Sequence, residues 1–187
     1  MTPEQYLVDS ERTLSKFPDG LGLSSDTAKS LGNVIKQAID VCQQLDALKK
    51  NIYYGKPMVD GAVILSDADT MALEPDELEA LQKFDSREVD LLHAALGKLT
   101  EAGEVMENVF AFVSSDKQNY DVKNTIEEVG DGFWYDAILL RDAGVSIEEC
   151  MDKNINKLLA RYPEKFNTED ALNRDTEAER KAMEDAG

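Results

Sequence analysis

The sequence predicts an all-α protein, a helical bundle. Two observations carry that prediction. Apolar residues recur at helical spacing through most of the chain, in segments parted by short polar or glycine-bearing loops. The composition agrees: 42% hydrophobic residues supply a core, 31% are charged, and only five prolines interrupt 187 residues. That length suits one domain carrying an elaboration.

The elements follow in order. Residues 3–16 read as a short helix, with Thr2 to cap it, Pro3 in its first turn, and Tyr6, Leu7 and Leu14 on an apolar side. FPDGLGLSSD is a loop. Ser25 or Asp26 caps a second helix running to about residue 52, with Leu31, Val34, Ile35, Ala38, Val41, Cys42 and Leu45 as its stripe. Residues 53–74 break the pattern at Gly55, Pro57 and Gly61, and GAVILS is a short apolar run of either type. Pro75 opens a small helical segment, PDELEALQKF. A long helix then runs from about Ser86 to Val113 on Val89, Leu92, Leu96, Leu99, Val105, Met106, Val109 and Phe110. After the loop SSDKQN, another spans about Asp121 to Asp142 with Val122, Ile126, Val129, Phe133 and Leu140. Ser146 and Glu149 form a capping-box signature for a helix to about residue 161, which Pro163 ends. In the tail Thr168 is the expected cap, and sparse apolar residues predict fraying at the far end.

A formal net charge of −18 makes nucleic acid polymers poor partners, because like charges repel. A small anionic substrate would need a bridging cation or a local basic patch. Cys42 and Cys150 have no metal-like spacing and read as free thiols of a reducing cytoplasm. The charged N-terminus does not read as a signal peptide, and no stretch reaches the ~18 apolar residues of a membrane span.

Within this acidic chain one constellation stands apart. Glu101 and Glu104 share a helix face at i and i+3, and Glu128 and Asp131 repeat the spacing on the next helix. Antiparallel packing of the two helices would bring four carboxylates together. Such convergence requires a counter-charge, and a hard divalent cation such as Mg²⁺ suits oxygen ligands. Neighbouring apolar runs, among them GFWYDAILL, place these acids beside buried surface, where they need a partner. Gly97, one turn before Glu101, admits close approach of a ligand or a helix. His93, the lone histidine, reads first as a structural or hydrogen-bonded residue. Downstream, Lys153, Lys157 and Arg161 make one cationic edge at i, i+4 and i+8, with Arg174 beyond. That edge reads equally as a phosphate clamp and as ordinary salt-bridging to the abundant acids. Carboxylate-held metal beside Lys and Arg is the combination that polyphosphate hydrolysis needs.

Three segments, LLHAALGKLTEAGEVMENV, NTIEEVGDGFWYDAILL and NINKLLARYPEKFNTEDALNRDTEAE, resemble the MazG-like all-α nucleoside triphosphate pyrophosphohydrolases, especially short phage-type members. The resemblance covers roughly residues 86–180, with a weaker match in QYLVDSERTL. It implies a helical bundle, usually a homodimer or homotetramer, that uses Mg²⁺, with Mn²⁺ as a substitute, to convert a nucleoside triphosphate to its monophosphate and pyrophosphate. By position it makes Glu101, Glu104, Glu128 and Asp131 the metal ligands and catalytic residues. Lys157 and Arg161 would face the phosphates, with Lys153 and Arg174 as secondary candidates and Asn154 on substrate polar groups. Trp134 would stack on a base or pack in the core, His93 is a further candidate at the substrate, and Tyr162 and Phe166 are packing residues.

The chain departs from the pattern over residues 18–85, read as an insertion ahead of a catalytic core at 86–166 and a helical tail at 167–187. QQLDALKKNIYYGKP within it resembles a segment that follows the metal-binding helix in that family, whereas here it precedes the helix. Lys49, Lys50 and Lys56 would then reach phosphate from the insertion. Within the same chemistry, dUTP, dCTP or dGTP remain open as substrates. A non-catalytic helical interaction protein is the alternative of a different class. Calcium binding by SDADTMALEPDE is disfavoured, because the segment lacks the glycine expected in mid-loop.

Overall fold

The computed structural model describes residues 1–15, 22–57, 74–115 and 120–184. The run at 61–66, most of the segment at 66–77, part of the first loop and the last three residues lie outside them. Among the described residues the chain is all-α, as the periodicity predicts. It divides into two compact units, one made of Met1–Gly22 with Leu140–Gly187, the other of Leu23–Leu139.

The unit Leu23–Leu139 is built on two long helices. The first of its helices is preceded in the chain by α1 (Pro3–Glu11), which belongs to the other unit. Helix α2 (Ser25–Tyr54) is capped by Ser24, whose Oγ accepts from the Thr27 N–H at 3.1 Å, one residue earlier than expected. It ends at Gly55, whose φ of +65° lies in the left-handed region that glycine enters without penalty. The short α3 (Pro75–Ala80) precedes α4 (Ser86–Ser114). Asp85 and Glu88 close a capping box at the start of α4: Glu88 N–H donates to Asp85 at 2.8 Å, and Asp85 N–H donates to Glu88 at 2.9 Å.

Helix α2 packs along α4, but not on the stripe expected from its apolar residues. Leu31, Val34, Ala38 and Val41 are exposed; Ile39 and Lys49 are buried. The face turned inward runs through Ile35, Ile39, Cys42, Asp46, Lys49 and Tyr53, a regular helical spacing that includes two charged residues. A count of apolar residues alone rotates the face, because the polar groups that α4 requires lie on the same side. The approach is close at Gly103, where a Cβ would stand 2.4 Å from that of Cys42.

Helix α5 (Val122–Ala143) meets α4 through side chains. Ala94, Tyr135 and Ile138 form a small core. Gly97 lies under the Tyr135 ring, so that a Cβ there would come within 2.1 Å of it. The approach that the sequence assigned to a ligand or a helix is thus made by a side chain of α5. Asn108 donates to the Asp121 carbonyl and to Thr125 Oγ1, both at 2.8 Å, and so pins the start of α5 to α4.

The other unit is built on α6 (Ile147–Arg161), with Ser146 Oγ capping the Glu149 N–H at 3.1 Å. Helix α1 packs on it: Tyr6 donates to Asn154 Oδ1 at 3.1 Å and the N-terminal ammonium meets Asp152 at 2.9 Å. Thr2 caps α1 as expected, but the helix stops at Glu11 rather than near residue 16. Arg12 leaves it to donate to the carbonyls of Tyr162 and Glu164 at 3.1 and 2.7 Å. The tail forms α7 (Thr168–Leu172), capped by Asn167 rather than Thr168, and α8 (Thr176–Glu184), which packs on α6.

Candidate metal centre

One turn of α4 and one of α5 bring three carboxylates together. One oxygen each from Glu101, Glu104 and Glu128 lies within 4.8 Å of the others. Glu101 and Glu128 are buried, and Glu104 is half-buried. Asp131, one turn past Glu128, is exposed and stands outside the group. Convergence therefore takes in three of the four acids expected. On α5 Glu128 is buried while Asp131 is exposed, so the i, i+3 pair of α5 is split where that of α4 is not.

Glu101 is anchored from another helix, α2, and Glu128 from its own, four residues earlier. Lys49, from α2, is buried at 3% exposure and donates from Nζ to Thr100 Oγ1 at 2.8 Å, Glu101 Oε1 at 3.1 Å and Tyr135 OH at 3.3 Å. Asp46 lies 3.3 Å from the same ammonium and also pairs with Lys50. Burial alone would lower the Lys49 pKa, but the bonds and charges of Glu101 and Tyr135 outweigh it and hold the group above its ordinary range. On α5, Asn124 Nδ2 donates to Glu128 Oε1 at 2.6 Å. Each buried carboxylate thus has one oxygen, Oε1, held by a protein donor.

The protonation of the cluster reflects its crowding. Burial, then the charges of Glu104 and Glu101, push the Glu128 carboxyl up to about 7. Glu104 is raised by burial and by Glu101 and Asp46. Three carboxyls in one site with a single buried lysine carry more negative charge than the site neutralises. The donor set fits a hard divalent cation: three carboxylate oxygens, close enough for one ion to bridge, with their outer oxygens already oriented. A cleft of about 450 Å³ opens beside it, lined by Asp46, Thr100, Glu104 and Asn124, with Glu107 and Asp121 further along.

Beside the cluster lies an aromatic group. His93 stacks on Tyr53 at 4.1 Å between ring centroids, and its Nε2 is 3.3 Å from the Tyr54 hydroxyl. Trp134 and Tyr135 stand edge-on to it at 6.0 and 5.6 Å. Burial and the Lys49 charge lower the His93 pKa, which favours a neutral imidazole. His93 is therefore a packed, hydrogen-bonded residue, while Trp134 is 55% exposed at the edge of the group.

The cationic residues on and after α6 belong to the other unit. There Arg161 donates to both oxygens of Glu179, from Nε at 2.8 Å and Nη2 at 2.6 Å, and Arg174 does the same at 3.1 and 2.8 Å. Lys153 donates to the Met183 carbonyl at 3.0 Å and pairs with Glu149. Asn154 accepts from Tyr6, and Lys157 lines a cleft with Arg174, Arg180 and Lys181. Lys153, Arg161 and Arg174 thus show the salt-bridged arrangement. Of the three lysines expected to reach phosphate from the insertion, Lys49 lies inside the cluster, Lys50 pairs with Asp46, and Lys56 is exposed.

Comparison with models of known families, with curated proteins and with solved structures finds no match. The likeness to the MazG-like enzymes rests on the sequence motifs. Among the described residues no helix is long and apolar enough to cross a membrane.

Proposed function

We propose that the chain is a Mg²⁺-dependent nucleoside triphosphate pyrophosphohydrolase. The observation that supports this reading most is the convergence of Glu101, Glu104 and Glu128 from two helices beside an open cleft. Magnesium held there, with manganese as a substitute, would offset the charge of a triphosphate and favour ionisation of the attacking water. Glu101 and Glu128 serve as the fixed ligands, because Lys49 and Asn124 hold their orientation. Glu104 sits on the cleft wall, half-buried, and takes the position nearest an entering substrate. Asp131, exposed one turn past Glu128 and outside the group in the substrate-free chain, would join as a fourth ligand only once substrate is bound.

In the reaction, a water oxygen attacks the α-phosphorus while the bond to the oxygen bridging to the β-phosphorus breaks. Pyrophosphate leaves, and the monophosphate remains. Glu104, on the cleft wall, is the carboxylate placed to accept the water proton. Lys50, paired with Asp46 beside the centre, would meet a phosphate oxygen in a chain of charge −18.

The exposed apolar residues Val122, Ile126, Val129 and Phe133, at i, i+4, i+7 and i+11 of α5, favour a homodimer or homotetramer. The same face would serve a non-catalytic interaction protein. Hydrolysis of a panel of ribo- and deoxynucleoside triphosphates with Mg²⁺ decides between these readings. Pyrophosphate release, abolished in Glu104→Gln, is expected; orthophosphate release, or no turnover with any nucleotide, overturns the proposal.

A further inference from the structure

The lysine inside the carboxylate cluster bears on how many ions the centre takes, a question that rests on the metal-centre reading above. Lys49 is the one buried cation among the described residues of this unit, and its Nζ is directed at the acids rather than at solvent. All three of its hydrogen bonds are used, on Thr100, Glu101 and Tyr135, which come from both α4 and α5. The ammonium is therefore fixed in place, unlike a surface lysine that swings between partners. It holds one oxygen of Glu101. That oxygen is lost to a second metal ion unless the lysine is displaced.

Charge points the same way. The groups that face one another here are Asp46, Glu101, Glu104 and Glu128 against Lys49 and Lys50. With all of them ionised, the acids exceed the bases by two charges, which one divalent ion neutralises. Glu107 and Asp121 lie further along the cleft and are exposed, where water screens them. Four carboxylates without a lysine would accommodate two divalent ions. We infer that Lys49 is a resident cation standing in the place of a second metal ion, so that the substrate-free chain binds one divalent ion and not two. It is a positioning residue, acting on the ion through Glu101.

Titration of the full-length chain with Mn²⁺ alone, by calorimetry and by equilibrium dialysis, tests this. The wild type is expected to bind one Mn²⁺ per chain. Lys49→Met, which keeps length but removes charge, is expected to bind a second equivalent, or to bind the first at least tenfold more tightly. Lys49→Arg is expected to stay at one. Two Mn²⁺ on the wild type would overturn the inference without need of any variant. So would a folded Lys49→Met with unchanged stoichiometry and affinity, the result of a purely structural lysine. No Mn²⁺ uptake by the wild type would instead overturn the metal-centre reading itself.

Discussion

Each compact unit contains a buried charge cluster, and the two are composed in opposite proportion. In the unit Leu23–Leu139, three glutamates share one buried lysine, Lys49. In the other unit, a single buried glutamate, Glu179, is held by two arginines. The second arrangement is self-sufficient. Arg161 and Arg174 both grip Glu179 in the fork geometry that guanidinium and carboxylate share, and they draw its pKa down to about 2. The first arrangement is short of cations, and Glu104 and Glu128 are pushed up instead of down. A cluster that satisfies itself reads as a structural pin between α6 and α8. A cluster short of positive charge reads as a site that awaits an ion.

Neutral substitutions sharpen that contrast most, because the two clusters should respond with opposite sign. Glu179→Gln leaves two arginines sharing a neutral amide, and is expected to destabilise the chain by roughly 1–3 kcal/mol. Glu128→Gln removes a carboxylate that is costly to ionise. Its amide oxygen keeps the bond from Asn124 and its NH₂ can donate to Glu104, so in chelator at pH 8 it is expected to stabilise by about 1–3 kcal/mol. It should also lose the rise in melting temperature expected of the wild type in Mg²⁺. Chemical denaturation with and without Mg²⁺ measures both. Destabilisation by Glu128→Gln in chelator would mean that the carboxylate is paired by protein groups alone.

The contrast also shows which parts of the chain were legible as sequence. Helix positions followed from periodicity and capping signals: Thr2, Ser146 and the long helices after Ser86 and Asp121 are where residue types place them. The shared face of Glu101 and Glu104 was readable because i, i+3 spacing is a property of one helix. The inward face of α2 was not. Its Asp46 and Lys49 look like solvent-facing charges, and only the presence of Glu101 and Thr100 opposite makes burial of a lysine favourable. Glu179 was hidden for a similar reason: a polar tail carries no apolar stripe, and its anchor is an ion pair with residues 18 and 5 positions away. The segment 18–85, read as an insertion, supplies α2, the helix that completes the centre. Partners distant in sequence decide which charges are buried, and no periodicity reports them.

The pH dependence gives a second separation. Glu128 has its folded pKa raised from 4.5 to about 7, so the folded chain binds the proton more tightly than the unfolded one. Its contribution to stability is present below about pH 4.5 and is lost as pH rises toward 7, by roughly 2–3 kcal/mol in chelator. Glu179 has its folded pKa lowered from 4.5 to about 2, so its contribution is present above 4.5 and lost as pH falls toward 2. Melting in chelator should therefore show one descending limb between pH 5 and 7 and another below pH 4.5. Glu128→Gln should remove only the first, and Glu179→Gln only the second. Saturating Mg²⁺ should flatten the first limb as well, because an ion that binds the ionised form restores what ionisation costs. A single limb that both variants alter would contradict the separation of the clusters.

The smallest expected effect calibrates the others. Lys83 and Glu79 form an i, i+4 pair with side chains 72% and 68% exposed. Water screens such a pair, and holding two long side chains in one geometry costs conformational freedom. Lys83→Ala should change stability by no more than about 0.5 kcal/mol at any pH between 5 and 8, with or without Mg²⁺. The bond between its charged atoms is short, yet distance alone does not set the strength of an ion pair. What distinguishes Lys49 and Glu179 is that solvent is excluded and cannot replace a lost partner. If Lys83→Ala matched Glu179→Gln in cost, burial would not be the controlling variable, and the contrast between the two clusters would lose its physical basis.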